Sequence, residues 1–188
     1  EYTTQTEFPV CIWRSVNDGV TWSKVYEFPV PLAARHIHTV NCDPYDMTNW
    51  YFTTGDDGSQ IKWFKSTNSG STWTEIVEVA NQALRYKVLG FVITDKHIMW
   101  ATDAPGVRNS IFIAPKNDLV NGRKEVLSTN QVFFGIVGFN ETLYAHAITQ
   151  HGGGPTEKAS FFGEIHPSSN GGESWRMLRQ WEVPSPIV

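Results

Sequence analysis

The octapeptide Ser66-Thr67-Asn68-Ser69-Gly70-Ser71-Thr72-Trp73 has two further copies in this chain of 188 residues. Ser15–Trp22 reads Ser-Val-Asn-Asp-Gly-Val-Thr-Trp, and Ser168–Trp175 reads Ser-Ser-Asn-Gly-Gly-Glu-Ser-Trp. All three octamers fit Ser-x-Asn-x-Gly-x-Thr/Ser-Trp. Ser66 lies 51 residues after Ser15 and 102 residues before Ser168, so one period of 51 residues relates the copies. A fixed period of this length indicates a repeat architecture.

Each octamer has the composition of a tight hairpin turn. Its glycine supplies a positive φ, its asparagine can bond backbone N–H groups inside the turn, and its tryptophan is expected to be buried against the sheet. A fourth copy is expected near residue 117, where Asn117–Arg123 keeps turn residues and lacks the tryptophan. The residues assigned to this structural role are Ser15, Asn17, Gly19, Thr21, Trp22, Ser66, Asn68, Gly70, Thr72, Trp73, Ser168, Asn170, Gly172, Ser174 and Trp175.

These octamers resemble the Asp-box, also called the BNR repeat, of sialidases, some endoglucanases, the sortilin family and related propellers. The family pattern has Asp at the third position, where this chain has Asn in every copy. The resemblance implies an all-β propeller with four-stranded antiparallel blades, in which each box joins the third strand of a blade to the fourth. It implies an architecture and not an activity, because Asp-box propellers have many functions.

The phase of the repeat divides the chain into about three and a half blades of a six- or seven-bladed ring. Residues 1–30 are expected to form the second half of blade one, with blades two, three and four at 34–79, 84–128 and 131–180. A partial ring leaves open sheet edges. The remaining blades, in the same chain or another, are therefore predicted partners, and a self-pairing dimer is an alternative.

Composition excludes several classes of protein. Aromatic residues are 13% and charged residues 18% of the chain, which suits short strands and turns better than a helical bundle. The formal net charge is -4 and no Lys/Arg block occurs, so no nucleic-acid partner is predicted. No apolar run reaches the roughly 18–20 residues of a membrane span. We predict neither a cofactor nor a metal.

The cellular location is expected to be secreted or cell-surface. A glycosylation triplet, Asn140-Glu141-Thr142, supports this expectation. The sequence starts at Glu1 and shows no signal peptide, so Glu1 is expected to be a processed end or the start of a fragment. Cys11 and Cys42 form a disulfide or remain two small buried thiols, and the sequence leaves both alternatives open.

Propeller topology predicts which loops carry a ligand site. The octamers and the turns between first and second strands lie on one face, whereas the loops before first strands and after second strands lie on the other. On that second face we predict catalytic roles for His36, His38, Asp56 and Asp103. We predict substrate-binding roles for Arg35, Arg85, Tyr86 and His151. His36 and His38 are two residues apart on a strand, so their side chains should point to the same side.

Three functional hypotheses follow. The first is a secreted carbohydrate-active propeller with a polysaccharide or glycan ligand. As a glycoside hydrolase it would use Asp56 and Asp103 as the carboxylate pair. As a lyase it would use His36 or His38 as the base, and Arg35 or Arg85 would neutralise the uronate. The alternative is a non-catalytic module for binding, assembly or structure. A metal site at the two histidines is a third, weaker interpretation. No Phe-Arg-Ile-Pro segment of the sialidase type occurs.

Overall fold

The computed structural model of the chain describes residues 9–28, 36–55, 58–77, 83–104, 107–139, 141–148 and 162–182. These residues form fourteen β-strands and two short 3₁₀ turns. The strands make three four-stranded antiparallel sheets and one two-stranded sheet, which confirms the all-β fold with propeller-type blades. The chain divides into two compact units, Glu1–Ala83 and Leu84–Val188. Within the described ranges, no helix is both long and apolar enough to cross a bilayer.

The first unit contains six strands and a 3₁₀ turn at Gly58–Gln60. The strands are β1 Cys11–Arg14, β2 Ser23–Glu27, β3 Ile37–Cys42, β4 Trp50–Thr54, β5 Trp63–Ser66 and β6 Thr74–Val77. Sheet 1 pairs β1 with β2, and sheet 2 has the order β3-β4-β5-β6. Each strand therefore lies beside the next strand along the chain, as in a meander.

The second unit contains eight strands, and a 3₁₀ turn at Ala83–Tyr86 precedes them. The strands are β7 Val88–Ile93, β8 His97–Thr102, β9 Asn109–Pro115, β10 Lys124–Thr129, β11 Val132–Phe139, β12 Thr142–Ile148, β13 Phe162–Ser168 and β14 Arg179–Glu182. Sheet 3 has the order β7-β8-β9-β10 and sheet 4 the order β11-β12-β13-β14. Buried and exposed residues alternate along β12, so one of its faces packs on the core.

The last strand of sheet 4 begins later after its octamer than the last strand of sheet 2. β6 begins at Thr74, directly after Trp73, whereas β14 begins at Arg179, four residues after Trp175. Pro167, in the neighbouring β13, accounts for the difference. Its carbonyl accepts a hydrogen bond from the Arg176 N–H at 3.2 Å, but a proline has no N–H to return one. Regular pairing therefore starts further along, where Ile165 lies opposite Arg179.

The three octamers are equivalent hairpin turns with the same hydrogen bonds. In the second copy the Asn68 Oδ1 accepts from the Thr72 N–H at 2.8 Å, and the Asn68 Nδ2 donates to Thr72 Oγ1 at 2.9 Å. Ser66 Oγ accepts from the Gly70 N–H at 2.8 Å, and the Trp73 indole N–H donates to the Gly70 carbonyl at 3.1 Å. The other two copies repeat these bonds within 0.3 Å.

Two residues of each octamer, rather than the glycine alone, adopt a positive φ. Ser69 has φ 56° and Gly70 has φ 81°, and the Ser71 N–H donates back to the Asn68 carbonyl at 3.2 Å. Positive φ at both central positions is the geometry of a type I′ turn, which matches the twist of the flanking strands. Asp18 with Gly19, and Gly171 with Gly172, repeat the geometry.

The octamers lie where the topology predicted them. The Ser69 N–H donates to the Thr48 carbonyl at 2.9 Å, so the second octamer sits beside the turn between β3 and β4. In sheet 4 the Gly171 N–H likewise donates to the Glu141 carbonyl at 3.0 Å, beside the turn between β11 and β12. Within each of these sheets, both turns therefore occupy the same end.

Each unit has its own hydrophobic core, and an octamer tryptophan packs against it. In the first unit the core joins sheets 1 and 2 through Ile12, Phe28, Phe52 and Phe64, with Trp73 against it. In the second unit the core joins sheets 3 and 4, and its members are Met99, Ala101, Ile111, Phe133, Ile136, Leu143, Ala145 and Ala147, with Trp175 against it.

Burial of the octamer tryptophans is less uniform than expected. Trp73 and Trp175 are half-buried, whereas Trp22 is 60% exposed. The Trp73 ring lies 4.7 Å from Phe52 in its own sheet and 6.3 Å from Tyr26 in sheet 1. Trp73 is therefore buried by a neighbouring sheet as well as by its own, whereas Trp22 belongs to neither of the two cores of the described residues.

Trp73→Ala should destabilise the protein by about 2–4 kcal/mol, because it removes an aromatic side chain from the contact between sheets 1 and 2. Trp22→Ala removes the same indole from an exposed site and should cost less than about 1 kcal/mol. Urea denaturation followed by circular dichroism measures both. Equal losses for the two variants would mean that the hydrogen bonds of the turn, and not the packing of the indole, set the cost.

Candidate functional site

The predicted site residues fall into three groups. His36 and His38 belong to the first unit, whereas Arg85, Tyr86 and Asp103 belong to the second. Arg35, Asp56 and His151 lie outside the described residues. The predicted placement of all these side chains on one face remains a prediction.

His36 and His38 point to the same side, as their spacing predicted. Their ring centroids are 4.7 Å apart, and both side chains are half-buried. A β-bulge places His38 in this position, because Ile37 pairs with Thr54 while Thr39 pairs with the adjacent Thr53. Bulges redirect a side chain and are common beside functional sites. Two adjacent imidazoles can donate to an anionic or sugar ligand or transfer a proton.

Gly55 makes room for the His38 ring. A Cβ built on Gly55 would lie 2.3 Å from His38 Cε1, which no real pair of atoms tolerates. Gly55, directly after β4, therefore leaves the space that the ring of His38, at the bulge in β3, occupies. In the described parts of the chain, no group of three or more His, Cys, Asp or Glu residues could hold a metal ion.

Asp103 is paired with a lysine and is largely buried. Its carboxylate Oδ2 lies 3.8 Å from Lys87 Nζ, and its backbone N–H donates to the Lys87 carbonyl at 2.8 Å. The two side chains are 10% and 12% exposed. This ion pair was not predicted, although Lys87 precedes β7 and Asp103 follows β8, so the hairpin brings them together. Arg85 is exposed nearby, and its carbonyl accepts from the Trp100 indole N–H at 2.7 Å.

Tyr86 packs in the core, and its predicted role as a ligand contact stays a prediction. Its side chain is fully buried and stacks on Trp100 with ring centroids 5.6 Å apart. The hydroxyl donates to the Leu119 carbonyl at 3.0 Å and accepts from the Arg123 guanidinium, which also lies 5.2 Å from the ring centroid. Burial raises the pKa of Tyr86. Tyrosine before a first strand is as suited to packing as to binding, and only the fold distinguishes the two.

A buried polar network that the sequence analysis missed connects sheets 3 and 4. Glu164 accepts hydrogen bonds from Thr129 on β10 at 3.1 Å and from Gln180 on β14 at 3.0 Å, and its Oε2 lies 2.9 Å from His166 Nε2. The bond to His166 is the main reason why the pKa of Glu164 is lowered. The signal was present, because residues 164 and 166 share one face of a strand.

An apolar groove of about 460 Å³ lies within the first unit and was also missed. Four tryptophans, Trp13, Trp22, Trp50 and Trp73, line it together with aliphatic residues that include Ile12 and Val40. Trp13 is 56% exposed and Trp22 is 60% exposed. Exposed indole rings gathered in one groove are unusual on a surface that contacts only water, and they are typical of binding surfaces.

No family model matches the chain, and no curated protein matches it. Among solved structures, the chain is similar to YCF48 from Cyanidioschyzon merolae, with 10% identity over 77% of this chain and 37% of that one, at a TM-score of 0.48. It is also similar to a structure of YCF48 bound to D1 peptide, with 12% identity over 89% of this chain and 61% of that one, at a TM-score of 0.35. The chain thus spans less than two thirds of both.

Gly55→Ala should destabilise the first unit by about 1–3 kcal/mol, because the added methyl group overlaps the His38 ring. The cost should fall in a His38→Ala background, where the ring is absent. Urea denaturation of wild type, both single variants and the double variant measures this coupling. Additive costs would show that the two residues do not contribute to one local arrangement.

Glu164→Gln should lower the free energy of unfolding at pH 7 by about 1–3 kcal/mol, the range for hydrogen bonds to a charged group. Folding lowers the pKa of Glu164, so its ionised form stabilises the protein above the ordinary glutamate pKa. That contribution is lost as the pH falls through the lowered pKa. Unfolding midpoints at pH 7, 5 and 3 should therefore converge for wild type and variant at the acid end.

The matched control is Glu173→Gln, which removes an exposed carboxylate from the same sheet. It should change the unfolding midpoint little at any of these pH values. If the unfolding midpoints of wild type and Glu164→Gln differed by the same amount at pH 7, 5 and 3, that result would contradict the argument from ionisation.

Proposed function

We propose that this chain is a non-catalytic propeller module of the Asp-box type that binds another polypeptide. The observation that carries the proposal is the groove of the first unit, where exposed Trp13 and Trp22 lie with Trp50 and Trp73 around an apolar opening. Tryptophan is enriched where protein partners are bound most tightly, because its large ring buries much apolar area at a small cost in side-chain entropy. The resemblance of the octamers to the Asp-box supports a secreted or cell-surface location as part of the proposal.

The chemistry of the groove suits an apolar polypeptide better than a charged polysaccharide. Its lining is dominated by indole and aliphatic side chains, and Arg14 is the cation among the lining residues. A charged glycan needs several polar groups aimed at its hydroxyls and carboxylates. Apolar side chains of a peptide need only contact area and exclusion of water, which the four indoles offer.

The carbohydrate-active hypothesis stays as a second candidate because of one observation. His36 and His38 form a half-buried pair on a bulged strand, an arrangement that could serve as a base beside a ligand. The predicted carboxylate pair has less support. Asp103 is held in an ion pair with Lys87 and is only 7% exposed, so its carboxylate has little access to a bond that it would cleave.

A peptide array distinguishes the two candidates. Twelve-residue peptides that alternate apolar and polar residues should bind the chain, and all-polar peptides of equal length should not. Trp22→Ser should weaken binding by about tenfold or more, since about 1.4 kcal/mol of contact corresponds to that factor. Val16→Ser is the matched control, because Val16 is 83% exposed and does not line the groove.

An assay of polysaccharide cleavage tests the carbohydrate-active candidate. A panel of charged polysaccharides should show no cleavage above background. Cleavage that is lost in His38→Ala, with no peptide binding, would overturn the binding module and favour the carbohydrate-active candidate.

A further inference from the structure

We propose that Asn121 is a site of spontaneous deamidation, at which the chain acquires an aspartate or isoaspartate with time. The sequence has one other asparagine-glycine pair, Asn170-Gly171, and the octamer that contains it protects it from the same reaction. Asparagine before glycine is the pair most prone to this chemistry, because glycine has no side chain to hinder the approach of its backbone nitrogen. The inference concerns the second unit and does not depend on the binding function proposed above.

The reaction takes place between two adjacent residues. The backbone nitrogen of Gly122 loses its proton to hydroxide and attacks Cγ of Asn121, so a bond forms between these atoms while the bond from Cγ to Nδ2 breaks. Nδ2 takes up a proton from water and leaves as ammonia. Water then opens the cyclic imide at Cγ, which gives aspartate, or at the backbone carbonyl carbon, which gives isoaspartate. Nothing is oxidised or reduced, and water and hydroxide are the only co-reactants.

Neither reacting group of the Asn121-Gly122 pair is held in place. Both residues are exposed in the turn between β9 and β10. The backbone N–H of Asn121 donates to Asp118 Oδ1 at 2.8 Å. Among the described residues, no hydrogen bond engages the side-chain amide of Asn121 or the N–H of Gly122. The amide can therefore rotate towards the Gly122 nitrogen without breaking a bond of the fold.

Both reacting groups of the Asn170-Gly171 pair are held by the octamer. Asn170 Oδ1 accepts from the Ser174 N–H at 3.1 Å and from the Ser168 hydroxyl at 2.9 Å, and its Nδ2 donates to Ser174 Oγ at 2.9 Å. The Gly171 N–H donates to the Glu141 carbonyl at 3.0 Å. Attack on Cγ requires these groups to leave their partners, and each bond that breaks adds to the barrier.

The phase of the repeat explains why sheet 3 lacks this protection. Two periods of 51 residues after Asn17 and Gly19 lie Leu119 and Asn121. The position of the octamer asparagine is thus taken by a buried leucine, whose carbonyl accepts from the Tyr86 hydroxyl at 3.0 Å. The asparagine of this turn lies instead where the octamers have glycine, a position at which they make no side-chain bond.

The isoaspartate product does not fit the turn unchanged. It inserts one carbon into the main chain at residue 121, directly before Gly122. Gly122 is closely packed, because a Cβ built on it would lie 2.8 Å from Pro115 Cδ and 2.9 Å from the Asp118 carbonyl oxygen. The connection between β9 and β10 must therefore shift when isoaspartate forms. The new carboxylate also adds a negative charge close to that of Asp118.

Incubation of the full chain at pH 8 and 37 °C, followed by tryptic digestion and mass spectrometry, tests the proposal. Peptides 117–123 and 159–176 contain one pair each, and fragment spectra locate the modified residue. Asn121 should be deamidated at least about tenfold faster than Asn170, a ratio that corresponds to about 1.4 kcal/mol in the barrier. An isoaspartyl carboxyl methyltransferase should then methylate peptide 117–123. A sample digested without incubation gives the background.

The chain in concentrated guanidinium chloride is the matched control. Unfolding removes the octamer hydrogen bonds and exposes both pairs, so Asn121 and Asn170 should then react at similar rates. Ser174→Ala provides a second comparison in the folded chain, because it removes the hydroxyl that accepts from Asn170 Nδ2. This variant should speed deamidation of Asn170 and leave that of Asn121 unchanged.

Three results would overturn the proposal. The first is an Asn121 that stays intact in the folded chain, and the second is an equal rate for the two asparagines there. The third is a difference that persists in guanidinium chloride, which would assign it to the neighbouring sequence and not to the octamer. Peptide binding by the first unit is measured separately, so its failure leaves this inference standing.

Discussion

One asparagine side chain closes each of the three repeated turns, and the arrangement of the blades depends on it. Asn68 accepts from the Thr72 N–H and donates to the Thr72 hydroxyl, while Ser66 accepts from the Gly70 N–H. These bonds satisfy polar groups of a loop that has no ladder of its own. They also hold a type I′ turn, which commits the strands on both sides to pair as a hairpin. Asn contributes an N–H donor that an Asp at the same position would lack.

The same turn positions the tryptophan that packs between sheets. Because the Trp73 indole N–H is bonded to the Gly70 carbonyl, the ring is directed onto Phe52 and towards Tyr26 of the preceding sheet. In the second unit Gly172 approaches Met99 of the neighbouring sheet so closely that a Cβ would lie 2.1 Å from its sulfur. A local hydrogen-bonded turn is thereby coupled to the packing of one sheet on the next. The first sheet has the same turn, but its tryptophan, Trp22, belongs to neither core of the described residues and is exposed.

Polar residues of this fold are used in packing more than the sequence alone indicated. Asp103 pairs with Lys87. Glu164 is hydrogen-bonded to His166, Thr129 and Gln180 and so connects two sheets. A titratable residue near the end of a strand has the same appearance in a sequence whether it binds a ligand or a neighbouring strand. The His36–His38 pair differs, because its rings lie 4.7 Å apart as the two-residue spacing predicted, and His38 lies at a bulge with Gly55 beside its ring.

The sequence by itself determined the repeat, the turns and the order of the strands, because these depend on contacts between residues close in the chain. The octamer hydrogen bonds span at most four residues, and the period of 51 residues sets the positions of the strands between the octamers. Only the tertiary structure decided the burial of Tyr86, the exposure of Trp22, and the groove beside β1. Each depends on whether a strand or sheet distant in sequence covers a given side chain. Identical local patterns, such as Trp22 and Trp73, therefore have different environments, since burial is set by neighbouring sheets and not by the turn that orients the ring.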